Sequence, residues 1–356
     1  MSEMAKDLIL QVKHLRKAFP IRRGLLRREV DAFTAVDDVS FTIRRGTTLG
    51  LVGESGCGKT TTSRMILRAI DPSDGEILFR RPAGDVVDIA ALSADKLKPL
   101  RSEIQMIFQS PYTSLNPRMP VMELIGEPLK SHGWKRRDRE DRVYELMQLV
   151  GLDPRHAQRF PHAFSGGQRQ RIGIARALAL EPSLIVADEP VSALDVSVQA
   201  QVLNLLKELR ERLGLTFLFV SHDLSVVRYL CDEVAVMYKG RIVEWANTQA
   251  LYEQPRHPYT HTLLKAAPAP NPRVPWVDPA EDAKANKPNA PSASSDQTDN
   301  EAVGCPFAPR CPHATALCRE KQPLLEDQQD NPRSPHYAAC HHAGELTLAG
   351  VAHAKA

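Results

Sequence analysis

The chain carries at positions 53–60 the sequence Gly53-Glu54-Ser55-Gly56-Cys57-Gly58-Lys59-Thr60. This stretch matches the P-loop pattern, in which glycines shape a loop that a lysine and a hydroxyl residue complete. An apolar run at 48–52 precedes it and a helix-capable segment at 61–69 follows, which is the strand–loop–helix setting that the motif requires. We therefore expect the loop amides and Lys59 to hold phosphates, and the Thr60 hydroxyl to face Mg²⁺.

A second glycine-rich motif lies far downstream and reads Phe164-Ser165-Gly166-Gly167-Gln168. The residues that follow it, to Leu180, are helix-forming, so a helix N-terminus stands behind the loop. The Ser165 hydroxyl and the bare glycine amides can then face a phosphate. Taken alone, the same letters also suit an ordinary turn before a helix.

Polar residues follow three apolar runs of the buried-strand type: Gln109 after 104–108, Asp188 and Glu189 after 183–187, and His222 after 216–220. Adjacent carboxylates at a strand end can divide labour, since one can hold a metal ion while the other polarises water. Each motif by itself leaves a plainer alternative open, namely acids at an exposed strand end or a histidine with a structural role.

In this order, the motifs resemble those of the ATP-binding cassette (ABC) ATPases, and the resemblance extends over nearly the whole chain. The signature loop of that family reads Leu-Ser-Gly-Gly-Gln, and Phe164 stands here at its first position. The segment Ser192-Ala193-Leu194-Asp195 resembles the family's D-loop, which crosses to the other ATPase subunit. The resemblance implies that the chain is an ATPase with ATP and Mg²⁺ as cofactors.

The resemblance also implies a role for each motif residue. Glu189 is implied as the general base or water-positioning residue, with Gln109 and His222 in the catalytic set. Mg²⁺ is implied to be held by Thr60, Gln109 and Asp188. The residues implied in nucleotide binding are Phe19, Gly53, Ser55, Gly56, Cys57, Gly58, Lys59, Thr60, Thr61, Ser165, Gly166, Gly167 and Gln168. The last four serve a site shared with a second subunit, because two such chains sandwich two nucleotides.

An aromatic residue of the N-terminal sheet stacks on adenine in this family. Phe19, just before the basic insertion Ile21–Val30, is our preferred choice, because stacking needs only an aromatic ring that the fold places correctly. Phe33 is the rival, being nearer to the P-loop in sequence. Core packing is the alternative for either ring.

The sequence predicts an α/β fold. Apolar runs alternate with helical patterns across 47–245, which indicates a mainly parallel core sheet, whereas 8–48 suits an antiparallel β-subdomain. A stretch rich in Pro, Ala, Asn, Asp and Ser predicts a flexible linker. The predicted divisions are an ABC nucleotide-binding domain at 1–266 with a helical subdomain at about 110–180, the linker at 267–303, and a small C-terminal Cys-rich module at 304–345.

Composition limits the class of protein. With 42% hydrophobic and 25% charged residues the chain resembles soluble globular proteins, and its net charge of +3 gives no argument for nucleic acid. No apolar run reaches the roughly 18 residues that a membrane span needs. The first residues include an acid and lack the apolar core of a secretory signal. We expect a cytosolic protein whose contact with a membrane comes through partners.

The segment His257-Pro258-Tyr259-Thr260-His261-Thr262-Leu263-Leu264 resembles the C-terminal signature of ATPases from dipeptide, oligopeptide and nickel importers. The insertion at 21–30 resembles the second of the two ATPases in such systems. The resemblance implies a motor subunit that powers uptake of di- or oligopeptides at the cytoplasmic face of the inner membrane. Its implied partners are a second ATPase subunit, two transmembrane permease subunits and an external solute-binding protein.

Other functions stay open at this point. A nickel or other solute importer would share the same motifs. A soluble ABC ATPase acting on ribosomes or DNA would usually carry two cassettes or a long coiled-coil insertion, and an exporter would usually carry a fused transmembrane domain. None of these features is visible in the sequence.

Four of the six cysteines lie near the C-terminus: Cys305, Cys311, Cys318 and Cys340. Disulfides are disfavoured in a reducing cytosol, and the spacings lack the paired knuckles of common zinc sites. Four thiolates suit either zinc or a [4Fe–4S] cluster, and the resemblance to peptide-importer ATPases favours the cluster. Unligated thiols in a mobile tail are the alternative. Because the cysteines follow a linker, we expect them to lie apart from the ATP site.

Overall fold

The computed structural model describes residues 4–23, 28–266, 304–328 and 335–350. The predicted linker at 267–303 lies outside these residues. The strands are β1 (Leu8–Arg23), β2 (Arg28–Arg44), β3 (Thr48–Val52), β4 (Asp74–Arg80), β5 (Val86–Asp88), β6 (Ile104–Ile107), β7 (Leu184–Asp188), β8 (Thr216–Ser221), β9 (Glu233–Tyr238), β10 (Arg241–Asn247), β11 (Glu326–Asp327) and β12 (His336–Ala338). The helices are α1 (Lys59–Ile66), α2 (Ala94–Leu100), α3 (Pro111–Ser114), α4 (Val121–Ser131), α5 (Arg136–Leu149), α6 (Gly166–Leu178), α7 (Val196–Leu213), α8 (Leu224–Leu230), α9 (Thr248–Glu253), α10 (Pro258–Ala266) and α11 (Ala316–Glu320).

The N-terminal residues form an antiparallel sheet in the order β2-β1-β4-β5. Its apolar side chains, such as Phe41 and Phe79, belong to one buried cluster with Leu51 and Leu218 of the second sheet. The β-subdomain and the central sheet therefore share a hydrophobic core, whose burial is the main force that holds the two sheets together.

The central sheet has the order β11-β12-β10-β9-β3-β8-β7-β6. Strands β9, β3, β8, β7 and β6 are parallel to one another. Strands β3, β7 and β8 are buried along their whole length, as expected when both faces of a parallel sheet are covered. In such a sheet ligands bind at the carboxyl ends of the strands, so the residues after β3, β6, β7 and β8 converge on one edge.

Helices α3 to α6 form a helical layer beside this edge. Val143, Leu146 and Met147 place the apolar side of α5 in a buried cluster, together with Ile125 of α4 and Ile172 of α6. The opposite side of α5 is charged and exposed. Spacing of three and four residues between apolar positions explains why this segment is an amphipathic helix.

The C-terminal residues return to the central sheet. Strand β12 pairs antiparallel with β10, and β11 pairs antiparallel with β12. His336 of β12 is fully buried, and its Nε2 lies 2.7 Å from Oε1 of Glu244, which is also fully buried. Within the part of the chain that the structure describes, no helix is long and apolar enough to cross a membrane.

Candidate functional site

The phosphate-binding loop joins β3 to α1. Gly53 has a φ of 155°, and a Cβ placed on it would lie 2.1 Å from the carbonyl oxygen of Met237, so only glycine fits there. The buried Lys59 donates from Nζ to the carbonyl oxygens of Gly53 (2.7 Å) and Glu54 (2.9 Å). The lysine is thus held at the mouth of a loop whose amides precede a helix N-terminus, a natural site for anions.

Thr60 and Asp188 meet across the sheet edge. The Thr60 hydroxyl donates to Oδ1 of Asp188 over 3.3 Å. Asp188 is buried at the end of β7, and burial raises the pKa of its carboxyl, while the bond from Thr60 acts in the opposite direction. A hydroxyl beside a carboxylate offers two oxygen ligands of the kind that Mg²⁺ prefers.

Glu189 lies between the two other polar residues of this edge. Its Oε2 accepts a hydrogen bond from Nε2 of Gln109 (2.7 Å), and its Oε1 lies 3.0 Å from Nδ1 of His222. The backbone of Glu189 is left-handed, with a φ of 47°, and its N–H donates to the carbonyl of Val220 over 2.9 Å. Such a conformation is costly for a residue with a side chain and is typical of functional sites. The structure therefore brings Gln109, Glu189 and His222 together as one hydrogen-bonded set.

The signature loop begins helix α6. Ser165 is the N-cap: its Oγ accepts from the N–H of Gln168 (3.3 Å), and the Gln168 side chain accepts from the N–H of Ser165 (3.1 Å). This reciprocal pair is a capping box. A Cβ on Gly166 would lie 3.4 Å from Leu194 Cδ2, so the signature loop packs against the D-loop. Ser165 itself is exposed.

The two candidate adenine-stacking rings are cross-strand neighbours. Phe19 of β1 is paired with Phe33 of β2, so both rings lie at the same position of the sheet. Phe33 is 52% exposed, and the ammonium of Lys17 lies 5.2 Å from the centre of the Phe19 ring. Both rings are therefore placed at one surface patch of the β-subdomain.

The four C-terminal cysteines line a single cavity. His257 and Phe307 also line this cavity. All four are free thiols, and burial raises the pKa of Cys305 and Cys311 and brings that of Cys340 to about 11. Within the described residues, no three Cys, His, Asp or Glu side chains are placed to hold a single metal ion.

Comparison with known proteins identifies the chain. Residues 36–192 match the family model described as "ABC transporter" and residues 243–318 match "Oligopeptide/dipeptide transporter, C-terminal region". The chain is 47% identical over 343 residues to the oligopeptide transport ATP-binding protein AppF of Bacillus subtilis (strain 168). This alignment covers 96% of this chain and 99% of that protein. The chain belongs to the ABC transporter ATP-binding family.

Other family members agree with this assignment. The oligopeptide transport ATP-binding protein OppF of the same organism is 54% identical over 268 residues, or 75% of this chain and 84% of that protein. The dimeric post-hydrolysis structure of the ATP-binding cassette MJ0796, bound to ADP and Pi, is 28% identical with a TM-score of 0.59, and it covers 67% of this chain and 99% of that one. The predicted ABC ATPase fold and ATPase activity are confirmed.

The sequence did not predict that Tyr259 and Arg310 contact the phosphate-binding loop of this ABC ATPase. The N–H of Glu54 donates to the hydroxyl of Tyr259 over 3.0 Å, and the Glu54 carboxylate accepts two hydrogen bonds from Arg310. These bonds from Arg310 lower the pKa of the Glu54 carboxyl. The expectation that the cysteine segment lies apart from the ATP site is wrong, because Arg310 directly precedes Cys311. The available signal was an arginine directly before a cysteine, and nothing in it indicated the P-loop as its partner.

Proposed function

We propose that this ABC ATPase is the motor subunit of an importer of di- and oligopeptides. Two features support this: the match of residues 243–318 to a C-terminal region named for oligopeptide and dipeptide transporters, and the names of its relatives. The observation that carries the motor role is Glu189, held between Gln109 and His222 beside the Thr60–Asp188 pair. This arrangement supports a role for Glu189 as a base beside a site for Mg²⁺ and phosphate.

We infer a role in ATP hydrolysis for each residue of this arrangement. The loop amides and Lys59 hold the nucleotide phosphates, and Thr60 and Asp188 would hold Mg²⁺, which neutralises phosphate charge when bound. The Glu189 carboxylate accepts a proton from the attacking water, and its two hydrogen-bond partners fix its orientation. The loss of the γ-phosphate removes the contacts that favour a closed state, which is how hydrolysis drives a conformational cycle.

We propose that the signature loop serves the nucleotide of a second ATPase subunit. The exposed Ser165 at the start of α6 and the packing of Gly166 against the D-loop support this, since a helix N-terminus there attracts an anion presented from outside. The wider complex contains two transmembrane permease subunits and an external solute-binding protein, and it places this chain at the cytoplasmic face of the membrane.

We further propose that the cysteine cavity holds a [4Fe–4S] cluster. The donor set fits, because Cys305, Cys311, Cys318 and Cys340 line one cavity, and four thiolates are the common ligands of such a cluster. Bound there, the cluster would crosslink the ends of a segment that has little core of its own.

The experiment for the transport role is uptake by the reconstituted complex. Proteoliposomes containing this chain, its second ATPase and the two permease subunits should accumulate a radiolabelled tripeptide when ATP and the binding protein are supplied. A Lys59→Ala complex is the matched control without a working P-loop. Uptake of nickel instead of peptide by the same vesicles would contradict the peptide assignment and leave the motor role intact.

A further inference from the structure

The middle of the phosphate-binding loop is held by residues of the C-terminal half of the chain. All three polar groups of Glu54 are engaged: the N–H by the hydroxyl of Tyr259, the carbonyl by Lys59, and the carboxylate by Arg310. Gly53 and Gly56 on either side have positive φ angles, so the loop backbone has little intrinsic preference of its own. These three attachments therefore help to fix its conformation, together with the hydrogen bond from the N–H of Gly240 to the carbonyl of Cys57.

The Arg310 contact has the geometry of a strong ion pair. Nη1 lies 2.9 Å from Oε2 of Glu54 and Nη2 lies 2.8 Å from Oε1, so the pair is bidentate. Ordinary pairs at this degree of exposure contribute little, but a planar guanidinium matched to a carboxylate is favoured when it is already oriented. Here the guanidinium is oriented by aromatic rings, with its carbon 5.8 Å from the centre of Tyr238 and 5.7 Å from that of Phe307.

The same group of aromatic rings includes Tyr259, whose hydroxyl binds the N–H of Glu54. The fully buried Tyr259 has its ring centre 4.5 Å from that of Tyr238 and 5.4 Å from that of Phe307. The hydroxyl of Tyr259 and the guanidinium of Arg310 thus approach Glu54 from one packed cluster. Because rings in contact move together, a displacement of the segment that carries Phe307 reaches both attachments at once.

A carboxylate in this loop also has an electrostatic effect. Glu54 is adjacent to the amides that face the nucleotide, and a negative charge there opposes the binding of a polyanion. Arg310 neutralises that charge with a guanidinium that is always protonated. The pairing therefore serves ATP binding in two ways, through the position of the loop and through its net charge.

We propose that Arg310 is a positioning residue of the ATP site, which acts through Glu54 and couples the cysteine-containing segment to the phosphate-binding loop. This deepens the proposed function, since it rests on residues 53–60 being the ATP site. Arg310 does not contact the reacting atoms. Its contribution is to the affinity for ATP, and displacement of the segment around Cys311 lowers that affinity by releasing Glu54.

The test is a double-mutant cycle on the full-length chain, with affinity measured by displacement of a fluorescent ATP analogue. Arg310→Gln should weaken ATP binding at least about fivefold in the native background, yet less than about twofold in a Glu54→Gln background, because contacting residues are not additive. The ATP affinity of Arg310→Lys should lie between those of the native chain and Arg310→Gln, since lysine keeps the positive charge and loses the bidentate geometry of the guanidinium. Arg319→Gln, an exposed arginine of the same segment, is the matched control and should bind ATP normally.

The outcomes distinguish an error in the role of Arg310 from an error in the assignment of the ATP site. If Lys59→Ala binds ATP as the native chain does, the ATP site itself is misassigned. If Lys59→Ala fails to bind but Arg310→Gln binds ATP normally, the role of Arg310 is overturned. If Arg310→Gln weakens ATP binding equally in both backgrounds, the role is also overturned, and a folding defect explains the weaker binding. In the assembled complex, a positioning role predicts a KM for ATP raised about fivefold with kcat changed less than about twofold. A fall in kcat with an unchanged KM would also contradict it.

Discussion

Glu189 shows at the scale of one residue how the site is prepared before nucleotide arrives. Its left-handed backbone is fixed by the bond to the Val220 carbonyl, and its carboxylate is fixed by Gln109 and His222. Strain of this kind persists only where the surrounding structure imposes it. The side chain is therefore already held in one orientation, as the proposed proton transfer requires.

Replacing Glu189 with glutamine should lower ATP turnover about 100-fold or more, because the amide keeps the size and cannot accept the proton. The measurement is phosphate release by the assembled complex at saturating ATP. Nucleotide binding should persist, so that the variant accumulates in the ATP-bound closed dimer. Phosphate release near the native rate would show that another group is the base.

At the scale of the element, Ser165 has two roles: it is the N-cap of helix α6, and it is part of the signature loop. Ser165→Arg should leave ATP binding to this chain's own P-loop nearly unchanged while abolishing hydrolysis in the complex. Ser165→Asp is the sharper variant: aspartate is as good an N-cap as serine, so stability is kept, but its charge repels a phosphate from the partner site. The ATP affinity of the isolated chain reports on its own P-loop, and phosphate release by the complex reports on the site shared with the partner.

A loss of ATP affinity in the isolated Ser165→Asp chain would contradict the assignment of the signature loop to a partner's nucleotide. Thermal unfolding of both variants provides the control for the cap. Ser165→Ala, which removes the capping oxygen and adds no charge, should cost about 1 kcal/mol of stability.

Strand β12 is attached to the sheet by a buried polar pair. Glu244 accepts from the N–H groups of Arg256 and His257 as well as lying beside His336, so it links β10, β12 and the start of α10. His336→Leu leaves a buried carboxylate short of one partner and should lower the free energy of unfolding by about 3 kcal/mol. His336→Gln keeps a donor and should cost clearly less. Denaturant unfolding of the two variants tests this, and equal costs would show that shape alone matters there.

At the scale of the whole molecule, the cysteine cavity joins distant parts of the chain. Anaerobically purified protein should be brown and contain iron and sulfide in equal amounts, and Cys311→Ser should lose both. Because metal binding and folding are linked in small modules, hydrogen exchange in Cys311→Ser should rise first at 304–328. Colourless protein with stoichiometric zinc would exclude the cluster.

Much of the site could be predicted from the sequence because its residues end buried strands. Apolar runs mark β6, β7 and β8, and the resemblance to ABC ATPases implies that Gln109, Glu189 and His222, which follow these runs, serve one site. The parallel sheet explains why they meet, because the carboxyl ends of its strands converge. The contact of Arg310 with Glu54 could not be predicted in this way. It depends on how the C-terminal segment docks on the rest of the fold, and no local pattern records that docking. The same holds for β11 and β12, which are too short to give a periodic signal.

These two short strands have a consequence for solubility. Without them, β10 would present a row of unpaired N–H and C=O groups, which is a template for strand addition by another molecule. Strand β12 pairs with residues 244–246 of β10, and the sheet then ends in β11, which has two residues. A strand of that length offers almost no template for another chain. Truncation before residue 304 should therefore produce a protein that self-associates through β10.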